Sequence, residues 1–269
     1  MRVLIGIILF VLILTRLGKT QDISNDFKSY HTLTLQYKLD KKNRLSLAYT
    51  GINDITPYDY NYAQFGLRYR RRLKGKRYIN AKLDYISVKQ SAMNVFKPFY
   101  RMSMGYIVNH RVKKFLLSNA IYGELFLPRF NKYQMRYIYN LDITYKWDMT
   151  DWRIRPYMKF KLYYYSRGNY LNYYSDEGDL VARKAPNDIH RWRWHMGFKL
   201  KPSKRFYVTL SYFWNEEFNA KINRNSEINI YNRNKTGVRF PFNSYGALAL
   251  AMTYKIKHKK KKHEEEYHM

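Results

Sequence analysis

The sequence predicts an all-β fold, a transmembrane antiparallel up-and-down β-barrel of about twelve strands, with ten as the alternative. Three observations predict it. Apolar and polar residues alternate over segments of about ten residues, the length that a tilted strand needs to cross a bilayer. The connections between these segments alternate between short and long. One parity is apolar with aromatic ends, and the other is strongly basic.

The N-terminus comes first. "MRVLIGIILFVLILTRLGKTQ" places Arg2 before an unbroken apolar run from Val3 to Leu14, with Gly18 and Thr20 at small-residue cleavage positions. That is the form of a secretory signal peptide over residues 1–20, with an uncleaved signal anchor as the alternative. No later stretch approaches ~18 consecutive apolar residues, so any further crossing falls to strands. Residues 21–256 are then the barrel, and "KHKKKKHEEEYHM", 257–269, reads as a charged periplasmic tail.

From Tyr30 onward the period is two. In "HTLTLQYKL" the residues His31, Leu33, Leu35, Tyr37 and Leu39 share one side, and Thr32, Thr34, Gln36 and Lys38 the other. "RLSLAYTG", "YAQFGLRYRRRL", "YINAKLDYIS", "FYRMSMGYIV" and "FLLSNAIYGELFL" follow, the last less regular. Alternation is cleanest in "RYIYNLDITYKW", and "RIRPYMKFKLYYY", "HRWRWHMGFKL", "RFYVTLSYFW" and "YGALALAMTYKI" complete the set. Pro156 sits awkwardly inside its segment, because proline removes a ladder donor. "DKKN", "KGK", "NHRVKK", "DMTD" and "PSK" are short connections; 53–58, 88–97, 128–134, 166–188 and 216–244 are the longer ones. An outer-membrane barrel segregates its loops this way, with tight periplasmic turns and extended external loops. Eleven segments are evident, so an even count needs one more crossing, and "QDISNDFKS", Gln21–Ser29, is the candidate.

With the apolar parity outward, aliphatic centres end in aromatics. Tyr37, Tyr69, Tyr85, Tyr145, Trp147 and Trp152 lie towards the short turns; Tyr100, Tyr137, Tyr164, Trp192, Trp194, Tyr212 and Trp214 lie towards the loops. The other parity becomes a basic lumen. Arg68, Arg70, Arg153, Arg155 and Lys199 line its periplasmic part, with Lys38, Arg44, Arg72 and Lys146. Arg101, Arg136, Lys159, Lys161, Arg191 and Arg193 line its external part. Asp84, Asp142 and Glu124 point in among them, and the acidic "SDEGD" loop could tuck inward to offset their charge. His190 falls on the lipid parity and His195 in the lumen. Arg71 falls on the lipid parity near a strand end, where it could snorkel.

The chain has 269 residues, 50 Lys+Arg against 20 Asp+Glu, and a formal net charge of +30, which points to anionic partners. There is no cysteine, so no disulfide or thiolate site is expected. No catalytic signature is present, neither G-x-S-x-G nor H-E-x-x-H nor a phosphate-cradling glycine loop, so neither an enzyme nor a cofactor or metal site is expected. In the last strand Gly246, Leu250, Met252, Tyr254 and Ile256 resemble the signal read by the barrel-assembly machinery. "YKLDKKNRLSLAYTG", "GLRYRRRLKGKRY", "NAIYGELFLPRF" and "RYIYNLDITYKW" resemble segments of an uncharacterised outer-membrane β-barrel family common in Bacteroidota. That resemblance implies a signal-bearing single-domain barrel in a Gram-negative outer membrane, and it carries over no functional residue.

The functional expectation is a monomeric outer-membrane barrel with an anion-binding or anion-conducting lumen, in contact with membrane lipid and lipopolysaccharide. An envelope structural or interaction protein acting through its external loops is the alternative. A soluble nucleic-acid binder is disfavoured, because parity sorts the cations onto a lumen and a rim.

Overall fold

A computed structural model describes residues 27–55, 58–90, 95–130, 132–146, 153–238 and 242–256. In chain order the strands are β1 (Phe27–Lys38), β2 (Asn43–Ile55), β3 (Tyr58–Arg72), β4 (Arg77–Gln90), β5 (Val95–Val112), β6 (Phe115–Leu127) and β7 (Met135–Tyr145). Then follow β8 (Arg155–Ser166), β9 (Leu171–Tyr174), β10 (Leu180–Lys184), β11 (Ile189–Leu200), β12 (Phe206–Glu217) and β13 (Tyr245–Ile256). All but β9 and β10 form one closed barrel; those two pair as a separate hairpin.

Neighbours run antiparallel around the ring except at the seam, where β1 pairs with β13 in parallel, Phe27 opposite Gly246 and Tyr37 opposite Ile256. Eleven strands of alternating direction leave the first and last pointing the same way, so closure must be parallel. This corrects the expected even count. A twelfth strand before β1 would need the edge that β13 already occupies; Gln21–Asp26 lies outside the described residues. Two further expectations shift. β3, β4 and β5 have 15, 14 and 18 residues, so most of "NHRVKK" and of the first two long loops is strand. Pro156 is tolerated because it is the second residue of β8.

The alternation sorts the two faces as expected. Leu47 is 57% exposed on the outer surface, while Ser46 and Ala48 beside it are 8% and 7% exposed inside. Leu33, Leu67, Leu83, Met102, Ile121 and Leu210 continue the outer apolar band. A sheet curled so that its apolar side faces outward keeps every backbone group paired only by closing on itself. Tyr85 moves from its expected level: it lies opposite Tyr100, with ring centroids 5.7 Å apart, in the loop half of the wall. Trp147 and Trp152 lie outside the described residues.

The apolar clusters of the interior lie at the loop end. Ile228 and Phe242, from the segment between β12 and β13, pack on Ile138, Tyr163 and Tyr165. Phe130 and Tyr133, from the β6–β7 loop, pack on Ile86, Phe99 and Phe126.

Candidate functional site

The lumen is built from residues that face inward on every second position. Its wall is uneven. On β1, β2 and β13 many inward residues are small or hydroxylic, among them Thr32, Thr34, Ala48, Thr50, Ala249 and Ala251, with the cations Lys38 and Arg44 nearest the short turns. On β3 to β8 and β11 long cations and tyrosines such as Arg68, Arg101, Tyr122 and Tyr163 project into the space left opposite, with small residues such as Ser103, Gly105 and Ala120 between them. Gly66 shows how tight the filling is: a Cβ there would stand 2.1 Å from Oδ1 of Asp84.

Carboxylates lie directly across the ladder from cations. Asp84, 0% exposed, accepts from Nε and Nη2 of Arg101 at 2.9 and 2.7 Å and from Nε2 of Gln64 at 2.9 Å. Glu124 accepts from Nε and Nη2 of Arg136 at 2.8 and 2.5 Å. Glu217 pairs with Arg191 in the same way. These three pairs occupy the loop half. Towards the short turns Asp142 takes Lys199 at 2.8 Å and Lys159 at 3.6 Å. Lys159 therefore belongs to the short-turn half rather than the external half.

Between these groups lie cations of another kind. Arg68, Arg70, Lys82 and Lys161 have no ion pair among the described residues. Arg68 and Arg70 each bury an Nε with no hydrogen-bond partner there. Tyrosine faces supply part of what carboxylates do not: the Arg70 guanidinium lies 4.0 Å from the Tyr78 ring and Nζ of Lys82 4.6 Å from the Tyr122 ring. Arg193 is held by neutral groups, donating to Oδ1 of Asn215 at 2.9 Å and to the Tyr245 hydroxyl at 3.0 Å. Arg155 lies on the inward parity opposite Lys199. Arg153 does not join the wall; it precedes β8, is exposed, and takes a φ of 48°.

The two mouths differ. At the short-turn end a cavity of about 670 Å³ opens among Arg70, Asn80, Asn109, Asp142, Lys159 and Lys199. At the loop end the lumen is capped. The cap is tied by side chains that imitate backbone: Asn219 donates to Ile228 O and accepts from Ile228 N at 3.1 and 2.7 Å. Asn229 does the same with Phe242 at 2.9 and 2.7 Å. Each reciprocal pair lowers one apolar side chain onto the tyrosines below. Asp188 anchors the cap to β11, accepting from Asn223 N at 3.0 Å, Ser226 Oγ at 2.9 Å and Ile189 N at 2.7 Å. Burial works against its charge, but these bonds hold its carboxyl below the usual range. Lys132, in the β6–β7 loop, lies over the Phe242 ring at 4.3 Å. Burial, reinforced by the charge of Arg191 and opposed by Glu217, lowers it to about 8.

Three features depart from the sequence pattern. A bulge between Ile189 and Arg191 turns His190 inward, where it is 1% exposed, bonded to Pro186 O and stacked on Tyr165. The "SDEGD" acids do not tuck in; Asp176, Glu177 and Asp179 are exposed on the β9–β10 hairpin. Glu217, expected in a loop, ends β12 and is a lumen carboxylate. His195 is inward as expected, its ring 4.8 Å from Phe213. No protein-family model and no curated protein matches this chain.

Proposed function

We propose that the protein is an outer-membrane barrel that binds anions in its lumen and admits them from the short-turn end. One observation carries this reading: among the described residues Arg68, Arg70, Lys82 and Lys161 have no ion pair, and Arg70 lines a cavity at the short-turn end, away from the capped half. Crowded cations in a shielded space favour an anionic guest, because each lacks the counter-charge that burial demands. The closed cap favours binding, with conduction only when the cap lifts.

The test is planar-bilayer recording on the full protein and on a variant lacking 219–243. The intact barrel gives little current, and the deletion gives anion-selective steps. Arg68→Glu with Lys161→Glu in the deletion background reduces that selectivity. Cation-selective or unselective current from the deletion variant overturns the reading. Heat-modifiable migration in the outer-membrane fraction tests the location itself.

A second reading has its own support. Tyr170, Leu180, Val181 and Tyr231 are 65%, 58%, 55% and 61% exposed beyond the barrel mouth, which suits loops that engage an envelope partner. Replacing all four with serine would then abolish an envelope phenotype while leaving the bilayer recordings unchanged.

A further inference from the structure

The exposed charges of the two ends are not alike. At the loop end they are mixed: Lys235 lies 3.9 Å from Asp176, and exposed Glu177 and Asp179 share the β9–β10 hairpin with exposed Arg183 and Lys184. At the short-turn end cations project from "DKKN" between β1 and β2, "LKGK" between β3 and β4, "KK" between β5 and β6 and "KPSK" between β11 and β12. Among the described residues of these turns the one carboxylate is Asp40. Its Oδ1 already accepts from Lys42 N and Asn43 N at 2.6 and 2.7 Å, and its Oδ2 from Asn43 Nδ2 at 2.6 Å. Residues 147–152 of the β7–β8 connection lie outside the described residues and include Asp148 and Asp151.

Position along the barrel gives the partner. The outer wall passes from aliphatics such as Leu67 and Ile121, to aromatics such as Tyr69 and the Phe115–Tyr145 pair, to the cations of the turns. This is the order of acyl chain, interface and headgroup in a leaflet. The cations also surround the barrel on turns from most of its circumference. A linear polyanion or a folded partner would meet one side; a bilayer surface meets all sides together.

We propose that the short-turn end is a collar for anionic phospholipid headgroups, whose phosphates supply the counter-charge that the turns lack. The proposal rests on the membrane reading above. It assigns the strongest lipid electrostatics to the leaflet at the short turns, opposite the leaflet that the long loops would share with lipopolysaccharide.

The experiment reconstitutes the full chain into phosphatidylcholine vesicles, with phosphatidylglycerol or with lipopolysaccharide added, and identifies retained lipid by native mass spectrometry. Phosphatidylglycerol should be enriched roughly tenfold over phosphatidylcholine at low salt, and the enrichment should shrink as salt screens it. A variant with Lys41→Gln, Lys74→Gln, Lys113→Gln and Lys204→Gln should insert normally and lose most of it. A loop-end control, Arg183→Gln with Lys184→Gln and Lys221→Gln, should keep it. Equal retention of the two phospholipids, an unaffected turn variant, or enrichment of lipopolysaccharide alone overturns the collar while leaving the barrel in its membrane. Failure to insert into any vesicle overturns the membrane reading, and the collar with it.

Discussion

The loop half and the short-turn half of the lumen use the same side chains and reach opposite ends. In the loop half Arg101, Arg136 and Arg191 each face a carboxylate on the next strand, and a cap of Ile228 and Phe242 seals them from above. In the short-turn half Asp142 serves both Lys159 and Lys199 beside an open cavity, and Arg70 rests on a tyrosine. The difference lies in what surrounds the charge. A sealed site must pair its cations internally, whereas a wet one can leave them for solvent or a guest.

The largest expected effect tests that contrast directly. Asp84→Ala strands Arg101 in the sealed half and should cost about 3–5 kcal/mol of stability in urea-unfolding of the vesicle-inserted barrel. Asp142→Ala, beside water, should cost less than half as much. Equal losses would mean that the two halves are equally wet.

Next comes the cap. Ile228→Ala removes a side chain that is 2% exposed and should loosen the cap by about 3 kcal/mol. Faster hydrogen exchange confined to 218–238, with the barrel strands unchanged, is the expected signature. A barrel-wide loss of protection would make the cap part of the wall instead.

Asp188→Asn should weaken the same cap by about 1–3 kcal/mol, because three donors lose a charged acceptor. Since the folded carboxyl titrates below its ordinary value of 3.8, its contribution is full above that value and fades as pH falls through the lower, folded one. Acid should therefore loosen the wild-type cap and leave the asparagine variant less affected. Protease accessibility of the cap across that range reads the difference.

The last test reads a pH slope, at Lys132. With a folded pKa of about 8 against an ordinary 10.5, the folded state binds fewer protons between those values, so stability rises with pH across that window. Lys132→Met keeps the apolar stem and should flatten the rise. A slope unchanged by the substitution would assign it to another group.

What could be read from sequence follows from which forces are local. Parity is local, so Leu47 outside, Ser46 inside and the inward positions of Arg101, Arg136 and Arg191 were all legible. Of the four carboxylates that partner cations, Asp84, Glu124 and Asp142 were visible, but Glu217 was lost in a loop because β12 runs on past the alternating segment that ends at Trp214. His190 was misplaced by a bulge, which inverts parity without altering composition. The cap was hidden for a different reason. "FNAKINRNSEINIYN" has neither period, and only the folded chain shows that Asn219 and Asn229 bind their partners' backbones. The strand count failed because the choice of closing partner for β1 is written in no local pattern.

That closing partner has a consequence for anyone rewiring the chain. In a barrel whose seam is antiparallel, the first and last strands finish side by side, and a short linker can join them while a new break opens elsewhere. Here β1 begins at the loop end and β13 finishes at the short-turn end, so the same linker would have to run the full height of the barrel, through a lumen already packed with arginine and tyrosine. Circular permutation, easy for many closed sheets, is barred to this one. Two different tags fused before β1 and after β13 would instead report on opposite mouths.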